Sequence, residues 1–195
     1  MSLPVLFAHG AGAGSQHRWM RAWAHKLAVI GPVATFDYPY MAAGKRRPDR
    51  MPTLLQAHRD ALDDHRAAHG ERVLLAGKSM GSRVSCHLAV EDPTVTGVVC
   101  FGYPLVSQSG KRRDQVLLDL AVPILFVQGT RDKLCPLEVL EEVRSQMTAP
   151  STLHVVDTGD HSLQVTKTWC KQTGKTQDDV DTDMLGAVQR FAEGL

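Results

Sequence analysis

The chain has only four cysteines, Cys86, Cys100, Cys135 and Cys170, and no two of them form a C-x-x-C pair. That excludes the common zinc clip and the dithiol redox motif. Cys86 and Cys100 fall in apolar segments and read as buried thiols. Excess charge is missing too. The formal net charge is +1 at pH 7, so no global field draws the protein to nucleic acid or to a membrane surface. No apolar run approaches the roughly 20 residues of a membrane span. The opening Met1-Ser2-Leu3-Pro4 has no signal-peptide layout. Internal repeats, low-complexity tracts and linker stretches are lacking as well. Together these absences point to one domain over residues 1–195 with an ample core, and to a reducing cytoplasm as its expected location.

Six short, nearly continuous apolar runs recur along the chain. They are Val5-Leu6-Phe7-Ala8, Val33-Ala34-Thr35-Phe36, Val73-Leu74-Leu75-Ala76, Val98-Val99-Cys100-Phe101, Ile124-Leu125-Phe126-Val127 and Leu153-His154-Val155-Val156. Strands buried on both faces read this way, without polar alternation. Helical periodicity lies between them. Trp19, Trp23 and Leu27 recur every four residues, as do Leu54, His58 and Leu62, with Leu55 and Ala61 widening the stripe. Pro136 suits a helix start before Leu137, Leu140, Arg144 and Met147. Val180, Met184, Val188 and Phe191 form a closing amphipathic helix. The expected fold is α/β: a doubly wound, mostly parallel sheet of about six strands with helices on both faces. Between the fourth and fifth strands there is room for a short helix near 114–120 but not for a lid domain.

The chemistry concentrates at Gly77-Lys78-Ser79-Met80-Gly81, a G-x-S-x-G pentapeptide between an apolar run and a helix-compatible stretch. A serine on such a strand-to-helix turn presents its hydroxyl above the sheet edge. The glycines are needed because a Cβ at Gly77 or Gly81 would collide with neighbouring backbone. A phosphate loop is excluded. The Walker pattern needs a glycine where Arg72 stands, and a second candidate at Gly174-Lys175-Thr176 has Trp169 in that place. The opening Gly10-Ala11-Gly12-Ala13-Gly14-Ser15 is not G-x-G-x-x-G either, since Ser15 occupies the last glycine position.

Reactive loops leave the carboxyl ends of strands in such sheets. His9, Gly10, Ala11 and Gly12 then follow the first strand, Asp37 the second, Ser79 the third and Tyr103 the fourth. Asp132 follows the fifth and His161 the sixth. A serine hydroxyl needs a base to act as nucleophile at neutral pH. His161 is the candidate base, and Asp132 is the candidate acid that orients it. The order Ser79, Asp132, His161 is the one expected for a serine on this kind of turn. Asp157 and Asp160 also lie near His161; Asp160 is adjacent in sequence and is expected to point elsewhere. For the oxyanion of a tetrahedral intermediate, the candidate donors are the N–H groups of Met80 and Ala11, with Gly12 in reserve. His9 reads as a brace for that loop. Two basic clusters, Lys45-Arg46-Arg47 and Lys111-Arg112-Arg113, follow the second and fourth strands. They either rim the site and attract a carboxylate or phosphate, or are solvated loops. Residues 162–178 are polar and long enough to be mobile. Trp169 within them either folds over the pocket or is an ordinary exposed aromatic.

From Val5 through Phe191 the sequence resembles an α/β-hydrolase. The resemblance is carried by His9-Gly10-Ala11-Gly12, Gly77-Lys78-Ser79-Met80-Gly81-Ser82-Arg83, Phe101-Gly102-Tyr103-Pro104-Leu105, the stretch from Pro123 to Asp132, and Asp160-His161-Ser162. It is most similar to a small capless bacterial branch related to a vertebrate testis-expressed hydrolase-like protein and to subunit 3 of the NSL chromatin complex. Dienelactone-hydrolase-type enzymes are similar too, but they carry a cysteine where this chain has Ser79. The resemblance implies Ser79, Asp132 and His161 as nucleophile, acid and base, with Met80 and the Ala11 loop as oxyanion hole. The antiparallel strands that open larger relatives are missing before Pro4, so an exposed sheet edge is expected. The function that follows is a serine esterase acting on small carboxylic esters, with no cofactor and no metal, working as a monomer or homodimer. A thioesterase, an amidase or small peptidase with the same triad, and a non-catalytic scaffold are the alternatives.

Overall fold

A computed structural model describes residues 2–107 and 109–195. Met1 and Gln108 lie outside the described residues, so of the opening tetrapeptide only Ser2, Leu3 and Pro4 are described. The elements alternate along the chain. They are β1 (Val5–Ala8), α1 (Arg18–Leu27), β2 (Val33–Phe36), α2 (Pro39–Ala42), α3 (Met51–His69), β3 (Leu74–Lys78) and α4 (Met80–Glu91). Next come β4 (Gly97–Phe101), α5 (Gln115–Leu118), β5 (Ile124–Gly129), α6 (Leu137–Arg144), β6 (Ser151–Val156), α7 (Lys167–Thr173) and α8 (Gln177–Glu193). All six strands are parallel, in the order β2-β1-β3-β4-β5-β6.

The uninterrupted apolar runs follow from burial on two faces. Successive strand side chains point to opposite sides. Leu6, Leu75, Val98, Cys100 and Phe126 pack on one side with Leu62, Leu88 and Leu140 from the helices. Their neighbours Phe7, Leu74, Ala76, Phe101 and Val127 pack on the other with Trp23, Leu27, Met184 and Val188. The sheet edges depart from the sequence reading. No residue of β2 is fully buried, and in β6 only Val156 is, while Val155 is 44% exposed. An edge strand is covered by fewer elements, and an apolar run alone does not reveal which strands lie at the edge.

Helices form where the periodicity places them, with local corrections. In α1, Met20, Trp23 and Leu27 are buried and the His17 side chain caps the Trp19 N–H. Pro136 is the residue before α6, which ends at Arg144; Leu140 and Val143 pack inward from the helix, and Met147, beyond its end, packs against the same cluster. Residues 162–178 are not one long loop. Thr166 caps α7, Gly174 ends it in the left-handed conformation, and Thr176 with Asp179 builds a capping box that starts α8.

The strand order reverses direction at β1. The chain steps from β1 out to β2, then returns through α3 to place β3 on the other side of β1. Loops leaving β1 and β3 therefore separate at their carboxyl ends and open a crevice, the usual ligand position in such sheets.

Candidate active site

Ser79 stands between β3 and α4 with φ 52° and ψ −114°. A non-glycine residue with positive φ costs about 1–3 kcal/mol and persists only where its surroundings impose it. Here they do. The Ser79 N–H donates to the Phe101 carbonyl at 3.0 Å, extending the sheet ladder, and its own carbonyl accepts from Arg83 at 3.2 Å, opening the helix. The Ser82 hydroxyl donates to the Gly77 carbonyl at 2.6 Å. A Cβ at Gly77 would run into the Ser82 amide, and one at Gly81 into the Ala8 carbonyl. Helix α4 thus starts directly against β1 and β3, and the serine side chain is free of any capping bond.

The His161 ring lies within reach of this hydroxyl. Its Nε2 is 2.8 Å from Ser79 Oγ, and its Nδ1 is 2.8 Å from Asp132 Oδ2. A ring protonated on Nδ1 donates to the carboxylate and accepts from the hydroxyl. Asp132 is almost fully buried. Burial alone would raise its pKa, but the bond and charge of His161, the Leu134 N–H and the Gln128 amide together hold it below the ordinary carboxylate value. The Gln128 amide donates to Oδ2 at 2.6 Å while its oxygen accepts from the Tyr103 N–H. The two loops are tied to each other, with Arg131 N–H donating to the Gly159 carbonyl and Thr158 N–H to the Thr130 hydroxyl. Asp160 points away from the ring, accepting from the Ser162 and Gln164 N–H groups, and Asp157 accepts from the Trp169 indole at 2.8 Å.

Met80 is the first residue of α4, where a backbone N–H has no intrahelical acceptor. Ala11 and Gly12 line a cleft of about 870 Å³ together with Ser79, Lys78, Trp19 and His161. Ala11, unlike Gly12, also lines a second groove of about 570 Å³ with Ser79 and Met80. The Tyr40 hydroxyl holds this loop by donating to the Ala11 carbonyl at 3.0 Å. Burial, with Asp49 and Asp37 adding to it, pushes the Tyr40 phenol up to about 12, so it stays a donor. Buried His9 donates to the Gly10 carbonyl from Nδ1 and accepts from the Tyr38 N–H on Nε2, which is a neutral ring acting as a brace.

Several residues at this edge escaped sequence reasoning. Gln128 ends an apolar strand and is fully buried; a buried amide in that position is the signal that was available. Lys78, inside the pentapeptide, donates from Nζ to the His161 carbonyl and lies 5.9 Å from the Trp19 ring centroid. Its side chain lines the cleft and is only partly covered. Even so, burial lowers the ammonium to about 8, against the opposing pull of Asp132 and Asp160. The basic clusters divide. Lys45, Arg46 and Arg47 line a separate hollow, Arg112 pairs with Asp114 and Glu142, and Arg113 alone reaches a groove shared with Ser79. Trp169 is held against the α1–α8 side of the sheet rather than over the cleft. Among the described residues no cluster of histidine, cysteine or carboxylate side chains could hold a metal ion, and no helix is long and apolar enough to cross a membrane.

The model of a family described as an alpha/beta hydrolase domain matches residues 2–193. The fold is similar to that of a protein of unknown function from Agrobacterium tumefaciens, with TM-score 0.77 and 16% identity over 99% of this chain and 87% of that one. A metagenome-derived lipolytic enzyme gives TM-score 0.72 at 16% identity, over 99% of this chain and 94% of its own. A cold-adapted esterase from an Arctic intertidal metagenomic library gives 0.66 at 20%, over 93% and 82%. At such identities the likeness is one of fold.

Two outcomes follow from this geometry. Ser79→Gly relieves the positive-φ strain of about 1–3 kcal/mol and gives back under 1 kcal/mol in unfolded-chain entropy. Urea denaturation is therefore expected to show Ser79→Gly about 1 kcal/mol more stable than Ser79→Ala; equal midpoints would remove the strain argument. The second concerns Lys78, whose folded pKa is depressed to about 8 against about 10.4 unfolded. Between those values the unfolded chain binds more protons, so stability gained from this group rises with pH. Lys78→Met abolishes that rise. The stability of wild type relative to the variant, followed by denaturation from pH 7 to 10, increases by on the order of 1 kcal/mol; a flat difference would contradict the assignment.

Proposed function

The chain belongs to the alpha/beta hydrolase family, and we propose that within it the protein is a serine carboxylesterase that cleaves small carboxylic esters through an acyl-enzyme. The carrying observation is the continuous hydrogen-bonded chain from Ser79 Oγ through both His161 nitrogens to Asp132, 2.8 Å at each step. The lipolytic and esterase activities named for proteins of similar fold support the same reading. Within the family we place the chain in the small capless branch that its motifs resemble.

In this reading Ser79 Oγ attacks the ester carbonyl as its proton passes to His161 Nε2. The imidazolium is stabilised by the ionised Asp132. The carbonyl oxygen becomes an oxyanion facing the Met80 and Ala11 N–H groups. Donors of this kind are worth about 3 kcal/mol each in the transition state. The tetrahedral adduct collapses with cleavage of the carbonyl carbon–alkoxy bond, and Nε2 returns its proton to the departing alcohol. Water then repeats the sequence on the acyl-serine, giving up its proton to Nε2 and releasing the acid. Gln128 and the Leu134 N–H keep Asp132 in place, and Lys78 keeps the backbone of His161 over the serine.

Ser79→Ala is expected to lower kcat for 4-nitrophenyl butyrate by about 10⁴-fold and to abolish labelling by a fluorophosphonate probe. A folded wild type that takes up no label and turns over no ester would instead be a scaffold. Faster turnover of matched thioesters or amides would move the assignment to a thioesterase or amidase. Because Asp132 is held below the ordinary carboxylate value, its protonation is expected to add no second step to the acid limb of kcat/KM. A two-proton acid limb would contradict that.

A further inference from the structure

We propose that Arg83 and Arg113 form an anion subsite beside Ser79, which takes a carboxylate or phosphate at the far end of the acyl chain. The proposal rests on the serine-hydrolase reading and names the class of acyl group that it would accept.

Four arginines elsewhere in the chain are paired with carboxylates. Arg59 meets Glu91, Arg66 meets Asp92, Arg112 meets Asp114 and Glu142, and Arg144 meets Glu141. Among the described residues Arg83 and Arg113 have no carboxylate within salt-bridge distance. Arg83 Nε is buried and has no hydrogen-bond partner there either. Burial lowers the Arg83 guanidinium from its usual value, Tyr103 opposes this, and neighbouring Arg113 lowers it further. Two like charges brought together under partial cover are costly unless an anion joins them. Guanidinium groups are suited to that partner, since their planar fork matches a carboxylate or phosphate.

The position relative to Ser79 is fixed by the helix. Arg83 is one turn beyond the serine, bonded N–H to carbonyl at 3.2 Å, and helical side chains lean back toward the N-terminus. Both arginines line the 570 Å³ groove with Ser79, Met80 and Ala11. The groove's remaining charged side chain is Asp49, whose carboxylate is engaged by the Tyr40 N–H. The adjoining hollow, which shares Pro48 and Asp49 with the groove, adds Lys45, Arg46, Arg47 and Arg50 to the local field.

The two openings at Ser79 are not equivalent. His161 lines the 870 Å³ cleft and not the groove. The leaving alcohol must receive its proton from His161, so it occupies the cleft. The acyl chain is left with the groove, whose walls combine Met51, Leu54, Pro104 and Leu134 with the two guanidinium groups. An apolar chain ending in an anion satisfies both kinds of wall.

Two measurements test this, one of them independent of catalysis. In Ser79→Ala protein, adipate or butyl phosphate is expected to raise Tm above a chloride control of equal ionic strength. The larger of the two rises identifies carboxylate or phosphate as the preferred head. The rise is expected to vanish in the variant that also carries Arg83→Gln and Arg113→Gln. No rise, or a rise that survives both substitutions, overturns the subsite. The kinetic arm compares 4-nitrophenyl hydrogen adipate with its methyl ester, corrected for spontaneous hydrolysis. The kcat/KM ratio of the acid to the methyl ester is expected to fall by about tenfold in Arg113→Gln and in Arg83→Gln, and by less in Arg83→Lys. An unchanged ratio in folded variants, checked by circular dichroism, overturns the assignment. Should wild type cleave neither ester while adipate still raises Tm through these arginines, the esterase reading fails and the anion subsite stands.

Discussion

A single residue held in a conformation that L-amino acids avoid organises this protein. Ser79 has positive φ because the β3 ladder ends on its N–H and α4 begins on its carbonyl. Neither bond can be kept if the turn relaxes, since the sheet and the helix are both buried. The turn also sets how close α4 comes to the sheet. That closeness makes Gly77 and Gly81 necessary, because a methyl at either position would meet backbone rather than a yielding side chain. The hydroxyl stands at the helix start, next to the Met80 N–H, at the crevice where β1 and β3 part. Position, exposure and a neighbouring positive dipole thus follow from one dihedral angle.

The rest of the site is brought to that point by loops that brace one another. Asp132 and His161 sit 29 residues apart in sequence, on turns after β5 and β6. Parallel pairing puts those turns side by side, and backbone bonds from Arg131 to Gly159 and from Thr130 to Val156 lock them. The His161 turn itself has positive φ at Thr158 and at buried Leu163, so it is anchored by packing on one side and by Asp160 on the other. Lys78 closes the circuit. It reaches from the residue before the serine to the carbonyl of His161, so the proposed nucleophile and its base are joined by a second link besides the hydroxyl–imidazole bond.

Much of this was legible in the sequence because it depends on patterns that repeat or on residues with few alternatives. Apolar runs of four residues between helical stripes specify a parallel sheet. A serine between two glycines at the end of such a run specifies the turn. The order of the remaining polar residues along the strand ends then nominates Asp132 and His161, which the structure brings to Ser79. What was not legible depends on neighbours distant in sequence. The runs at Val33 and Leu153 look like those of inner strands, yet β2 and β6 are edges, because lateral order is not written in any one strand. Gln128 looks like the frayed end of a strand until Asp132 is seen to fold back over it. The stretch 162–178 is mostly polar, and its helix is revealed by capping residues, Thr166 and Gly174, rather than by periodicity. Of the two basic clusters, only Arg113 reaches a groove with Ser79, and its companion there is Arg83, a residue inside the serine motif that attracted no notice as a charge.

Several of the costs in this molecule fall within one short stretch. Ser79 carries a strained dihedral, Lys78 an ammonium depressed to about 8 by burial, and Arg83 a buried nitrogen without a partner. Three unfavourable features lie within six residues, on a strand and helix whose buried apolar side chains pack into the clusters on either side of the sheet. Local rules are broken where function needs them broken, and the surrounding structure bears the expense. Each feature puts a polar group at the crevice: a hydroxyl bonded to the His161 ring, an ammonium bonded to the His161 carbonyl beside the cleft, and a guanidinium with an unpartnered nitrogen beside the groove. An anionic intermediate at Ser79, carrying an anionic acyl tail, would complete the electrostatics of all three. The same features that lower the stability of the empty protein would then strengthen its hold on the charge that develops during the reaction, which is the form that transition-state complementarity takes when it is built into a fold in advance.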